Sequence, residues 1–123
     1  MTVAPARPWL RAEGLAVSAV ALALYALSGG GWLLGVLLFF APDLSFAGYL
    51  AGPRVGAVAY NLAHTYASPA VLAGLGWVLA APLLPTLALL WAAHIGFDRM
   101  LGYGLKLPKG FHDTHLGRIG LAG

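Results

Sequence analysis

The chemistry-bearing side chains of this 123-residue sequence are four histidines and four acids, and they are unevenly placed. Residues 93–120, AHIGFDRMLGYGLKLPKGFHDTHLGRIG, hold His94, Asp98, His112, Asp113 and His115, together with Arg99, Lys106, Lys109 and Arg118. Cysteine is absent, which excludes disulfides, thiolate metal sites and covalent haem attachment. Imidazole and carboxylate remain, the donors that suit zinc or iron. His94 and Asp98 are four residues apart, so on a helix they can ligate one ion or hydrogen-bond each other. His64, Asp43 and His115 are the further candidates, giving a ligand set of His64, His94, Asp98 and His115 with Asp43 as ligand or general base. A transition metal such as zinc with an open position activates water, which points to a hydrolase of a lipid-borne substrate, with Arg99 or Arg54 holding an anion. Two other readings stand beside this one. In the first, His94–Asp98 is a hydrogen-bonded tie between helices, Asp43 pairs with Arg54 or Arg99, and the protein is a non-catalytic assembly subunit. In the second, His64 and His94 ligate haem or another tetrapyrrole axially.

The elements that must position these groups are membrane spans. Hydrophobic residues make up 60% of the chain and charged residues 9%, with a mean hydropathy of +0.82; soluble domains carry about 25% charged residues. Runs near 20 apolar residues cross a bilayer core of about 30 Å as helix. The breakers Ser28–Gly31, Gly52–Pro53 and Pro82/Pro85 divide the chain into spans of about 9–28, 31–50, 54–80 and 84–103, with a tail over 104–123. Pro69 is expected to kink the third span rather than end it. The fold class is therefore all-α: a single domain of four transmembrane helices with a short cytoplasmic C-terminal cap. Arg7 and Arg11 followed by an apolar run resemble a signal peptide, but the following chain is equally apolar, so the segment reads as the first span.

Orientation follows from the basic residues. In a four-span hairpin of hairpins, Arg7, Arg11, Arg54, Arg99, Lys106, Lys109 and Arg118 all fall on one side, and the other side carries no charge. The positive-inside rule places both termini in the cytoplasm of an inner membrane. The few bases suit anionic lipid rather than nucleic acid. The same topology sets depth. His64 lies roughly 16 Å along a helix from Arg54, and His94 a similar distance from Lys106, so the polar groups share the cytoplasmic half. Tyr60, Asn61, His64, Thr65 and Ser68 share one flank of the third span, and Trp91, His94, Asp98 and Gly102 form a stripe on the fourth. A lone carboxylate at the bilayer centre costs about 2.5–3.5 kcal/mol, so Asp98 needs a partner or the interface. A homo-oligomer or a membrane-complex partner is expected of so small a bundle.

Three blocks, APDLSFAGYLAGPRVGAVAYNLAHTYASP, WAAHIGFDRMLGYGLK and GFHDTHLGRIG, resemble the bacterial family called domain of unknown function 4260. The likeness runs from about Leu10 to Ile119. It implies a small multi-pass membrane protein, and its blocks include Asp43, His64, His94, Asp98, Arg99 and His115. His112 stands where the family carries other residues, including Lys, which leaves His115 the better candidate of the tail pair. A looser likeness to membrane metal-dependent hydrolases rests on Pro42-Asp43-Leu44 followed by a helical histidine, without the HR…TH pairing expected there.

Overall fold

The computed structural model describes residues 6–103 together with Asp113–Thr114 and Gly117–Arg118. The chain runs α1 (Arg7–Leu27), α2 (Trp32–Phe39), a 3-10 helix (Ala41–Ala51), α3 (Pro53–His64), α4 (Ala67–Val78) and α5 (Leu83–Leu101). Two-residue strands β1 (Asp113–Thr114) and β2 (Gly117–Arg118) then pair antiparallel, with Asp113 opposite Arg118. The architecture is thus helical, as the sequence indicates, with five α-helices among the described residues.

Two stretches are long and apolar enough to cross a membrane: Arg7–Leu27 and Trp32–Ala51, the latter being α2 with the 3-10 helix. Ala67–Val78 is a shorter apolar helix. Large apolar side chains stand exposed along these elements, among them Trp9, Leu27, Trp32, Leu37, Leu50 and Trp77. The buried set is small and is centred on α5, which packs against α1, α2 and α4. Leu90, Ala93, His94 and Ile95 of that helix are almost wholly covered.

Close contact between α1 and α5 depends on small residues. Gly14, Ser18, Ala21 and Tyr25 form the buried stripe of α1, recurring at helical spacing. A Cβ on Gly96 would stand 2.6 Å from the Gly14 carbonyl oxygen and 2.8 Å from the Ser18 nitrogen. The two backbones therefore touch where any side chain would force them apart, the small-residue packing common between apolar helices. At the end of α1, Tyr25 Oη donates to the Gly31 carbonyl at 2.8 Å, which closes the turn into α2.

Proline sets the next two transitions. The ring of Pro42 removes a donor and crowds the carbonyl four residues back; the chain tightens there, with the Asp43 amide donating to the Phe40 carbonyl at 3.1 Å. The 3-10 winding then runs eleven residues, where runs beyond about four are uncommon. At three residues per turn it presents Asp43, Phe46 and Tyr49 on one face, and that face packs on α3. Phe46 stacks on Tyr60 at 5.4 Å between centroids, and the Tyr49 ring covers Gly56 so closely that a Cβ there would collide with it. Gly52, at φ 115°, makes the reversal between the two.

The third expected span is two helices rather than one kinked helix. Pro69 sits four residues after Thr65, so an unbroken helix would bring its ring against the Thr65 carbonyl. Thr65 instead adopts extended backbone, φ −97° and ψ 140°, and α3 ends on His64. The carbonyls released at this break are taken up locally. Ser68 Oγ donates to the Leu62 carbonyl, Trp91 Nε1 to the Ala63 carbonyl at 2.5 Å, and Arg99 Nη2 to the His64 carbonyl at 2.9 Å. Two of these donors come from α5, so the break also ties α3 to the central helix.

Candidate functional site

His64 is the last residue of α3, and its position follows from the break just described. Its side chain is fully buried. The Tyr60 ring stacks on its imidazole at 3.8 Å with planes 8° apart, and Nδ1 donates to the Tyr60 carbonyl at 2.8 Å. A carbonyl can only accept, so Nδ1 carries the proton and Nε2 of the neutral ring offers a lone pair. This is the arrangement in which a metal-ligating histidine is held by its second nitrogen.

His94 enters from the middle of α5 and is also buried. Phe39 and Phe40, at the end of α2, meet its ring edge-on at 5.3 and 6.5 Å. Asp98 lies one turn further along α5, and Asp43 reaches in from the first turn of the 3-10 helix. The side chains differ in exposure: His64 0%, His94 2%, Asp98 14% and Asp43 38%.

The four donor atoms form a compact cluster. His64 Nε2 lies 3.1 Å from His94 Nε2, 3.3 Å from Asp43 Oδ1 and 3.3 Å from Asp98 Oδ2. His94 Nε2 lies 3.1 Å from Asp43 Oδ1 and 3.2 Å from Asp98 Oδ2. All four atoms fall within 4.8 Å of one another. Ligands bound at about 2.0–2.1 Å around a tetrahedral zinc stand about 3.3–3.4 Å apart. The five measured separations have that scale.

Hydrogen bonding alone satisfies this arrangement poorly. Each Nε2 has one bonding direction and three partners, and carboxylates are acceptors only when ionised. A cation at the centre meets all four atoms at once. Two carboxylates and two neutral imidazoles carry two negative charges together, which a divalent ion cancels. That balance matters where unpaired buried charge is expensive. The same geometry suits haem less well. Axial imidazole nitrogens stand about 4 Å apart across iron, twice a metal–imidazole bond of about 2.0 Å. The 3.1 Å separation, with two carboxylates in the same cluster, leaves no gap for a macrocycle.

The structure thus brings together Asp43, His64, His94 and Asp98, and the side chains nearest both carboxylates in the cluster are the two histidines rather than Arg54 or Arg99. Arg99 is buried behind the cluster. Its guanidinium donates to the His64 and Tyr103 carbonyls and lies 5.8 Å from the Tyr66 ring centre. His115, like His112, lies outside the described residues. Sequence reasoning placed Tyr60 and Trp91 on the polar stripes and cast Arg99 as an anion holder, but missed their roles: the Tyr60 carbonyl and ring hold His64, and Trp91 and Arg99 cap the carbonyls of Ala63 and His64. Pro69 is the signal that could have found the donors, because a proline there frees carbonyls next to His64 that something must cap.

An apolar pocket of about 380 Å3 is lined by Leu38, Ala41, Pro42, Ser45, Ala63, Leu72, Leu87 and Trp91. Pro42 and Ala63 are chain neighbours of Asp43 and His64, and Trp91 lies three residues from His94 on α5.

No curated protein and no solved structure matches the chain. The description of the domain of unknown function DUF4260 matches residues 7–119, nearly the whole length and all four clustered residues, and the chain belongs to that family.

Proposed function

We propose that the protein is a four-span integral membrane protein that binds one divalent transition metal, zinc in the first instance, through Asp43, His64, His94 and Asp98. The observation that carries this reading is the set of five donor–donor separations between 3.1 and 3.3 Å. Membrane embedding is supported by the Trp32–Ala51 stretch, of which only 6% of the apolar window is buried inside the molecule. A soluble protein's core helix would be mostly covered. The lack of charge at Ser28–Gly31 and Ala80–Pro85, against bases at the other helix ends, supports cytoplasmic termini.

The chemistry that fits such a site is hydrolysis. Structural zinc sites are closed by four protein ligands, and catalytic ones keep a position for water. Asp43 is the most exposed of the four and the one held on a 3-10 helix, so it would be the ligand to give way to water; the metal would acidify that water, and the Asp43 carboxylate would accept its proton. The water oxygen bonds to the acyl carbon, the ester carbon–oxygen bond breaks, and the proton passes to the departing oxygen. Arg99 serves this as a positioning residue, bracing the backbone of His64.

Elemental analysis tests the metal. Protein extracted in detergent without chelator should carry close to one transition metal per chain, and His94→Ala should carry almost none. A metal-free preparation that does not take up added zinc would overturn the reading.

A further inference from the structure

Pro42 acts on more of the cluster than its neighbour Asp43. A helical carbonyl is closed by the amide three or four residues on. For Phe39, the last residue of α2, those positions are Pro42, which has no amide proton, and Asp43. The Asp43 amide donates instead to the Phe40 carbonyl at 3.1 Å. The chain's own winding therefore leaves the Phe39 carbonyl open where α2 passes into the 3-10 helix. A backbone acceptor in apolar surroundings needs a donor from elsewhere.

A donor is at hand. His94 Nδ1 is buried and has no partner in good hydrogen-bond geometry among the described residues. Its ring meets the Phe39 ring edge-on at 5.3 Å, and the Phe39 backbone bears on the imidazole as a hydrogen-bonding group. Resting on the metal reading above, we propose that the Phe39 carbonyl accepts the His94 Nδ1 proton, and that Pro42, by leaving that carbonyl open, is a positioning residue for His94. His64 already shows such a hold, its Nδ1 donating to the Tyr60 carbonyl at 2.8 Å. With both Nδ1 atoms protonated, each neutral ring keeps its lone pair on Nε2. Those two nitrogens stand 3.1 Å apart, so their lone pairs repel until a cation stands between them. Both imidazoles are thus preset as ligands, and the proline beside Asp43 sets one of them.

Nitrogen-15 NMR of histidine-labelled protein in detergent reads this contact, with the His94 ring assigned by comparison with His94→Ala. In zinc-loaded protein the His94 Nδ1 proton should appear at the low-field position of a hydrogen-bonded proton. Pro42→Ala supplies an amide that competes for the Phe39 carbonyl. It should move the His94 proton upfield and lower zinc affinity, read by chelator competition, about tenfold, as loss of an outer-shell partner does. The His64 proton should stay in place, and zinc should still bind stoichiometrically at saturation. A second variant keeps the proline: the α-hydroxy analogue of phenylalanine in place of Phe40 turns the Phe39 carbonyl into an ester carbonyl, a weaker acceptor. That change should shift the same proton and weaken zinc severalfold, whereas the α-hydroxy analogue of leucine in place of Leu38 should do neither. A His94 ring protonated on Nε2, or an Nδ1 proton that the ester at position 40 leaves unmoved, would overturn the proposal. Wild-type protein that takes up no zinc would strike at the metal reading instead, and the response of the Nδ1 proton to the ester would still decide the Phe39 contact.

Discussion

At His64 Nε2 three atoms converge that one lone pair cannot serve, and the residue-scale predictions follow from how the four ligands differ. His64 and His94 are sealed in, whereas Asp43 is more than a third exposed. Losing an outer-shell partner typically lowers metal affinity about 10–100-fold, so His94→Ala, which removes a ligand, should exceed that. Asp43→Asn should keep metal at affinity lowered about tenfold while abolishing ester hydrolysis; chelator competition and an ester assay on the same preparation check both. Arg99→Gln touches no ligand atom but frees the His64 carbonyl. It should weaken zinc binding about tenfold, with the metal still stoichiometric at saturation. The i, i+4 relation of His94 and Asp98 was legible in the sequence because one helix carries both. Asp43 and His64 were legible only as residues of similar depth, since depth comes from topology and facing direction does not.

Among the elements, the interruptions matter as much as the helices. Proline positions announced where winding would change, but not how. The sequence reading expected a kink at Pro69, and the break falls at Thr65 because the proline ring meets the carbonyl one turn earlier. Nothing in residues 41–51 declares an eleven-residue 3-10 helix, since its apolar run reads equally well as α-helix. The turn between α4 and α5 offers a separate test. Ala80 has φ 52°, with the Ala80 and Ala81 amides donating back to the Trp77 and Gly76 carbonyls, a helix end that favours glycine. Left-handed backbone costs a residue with a Cβ about 1–2 kcal/mol, partly offset by the greater unfolded freedom of glycine. Ala80→Gly should therefore raise stability by about 0.5–1 kcal/mol, read as the midpoint of thermal unfolding in detergent. Gly96→Ala should lower it by about 1–3 kcal/mol through overpacking against Gly14.

For the whole molecule, the buried core is small and the apolar exterior extensive, so on the proposed reading a bilayer and the site would share the stabilising work. Without a cation, two carboxylates share the cluster with only the two imidazoles to offset their charge. Zinc at about 100 times its dissociation constant should add about 2.7 kcal/mol of stability, and chelation should reverse it; equal unfolding midpoints with and without zinc would count against the metal. Topology is testable separately. Reporters inserted at Gly29–Gly31 should lie outside the cytoplasm, and reporters on both termini inside it. The helical class was readable from composition and breaker residues, and two of the expected spans correspond to stretches long and apolar enough to cross a membrane, Arg7–Leu27 and Trp32–Ala51. The tail was not readable in the same way: its polar, glycine-rich sequence carries no helical period from which the facing of His112 and His115 could be read.

The pairing of the 3-10 helix with α3 acts as a ruler. Tyr49 meets Gly56, Phe46 meets Tyr60, and Asp43 meets His64, steps of three residues on one strand of the hairpin and about four on the other. Three residues of 3-10 helix rise about 6 Å, and so do four of α-helix. The two screws stay in mesh only while the first keeps its tighter winding. Relaxed to α-helix from Tyr49 back, the six residues to Asp43 would span about 9 Å instead of about 12 Å, leaving the carboxylate about 3 Å short of His64. On the proposed reading, ligand exchange at Asp43 and rewinding of residues 43–49 would be one motion. Amide hydrogen exchange over that segment should slow when zinc is bound, while exchange in α1 stays the same.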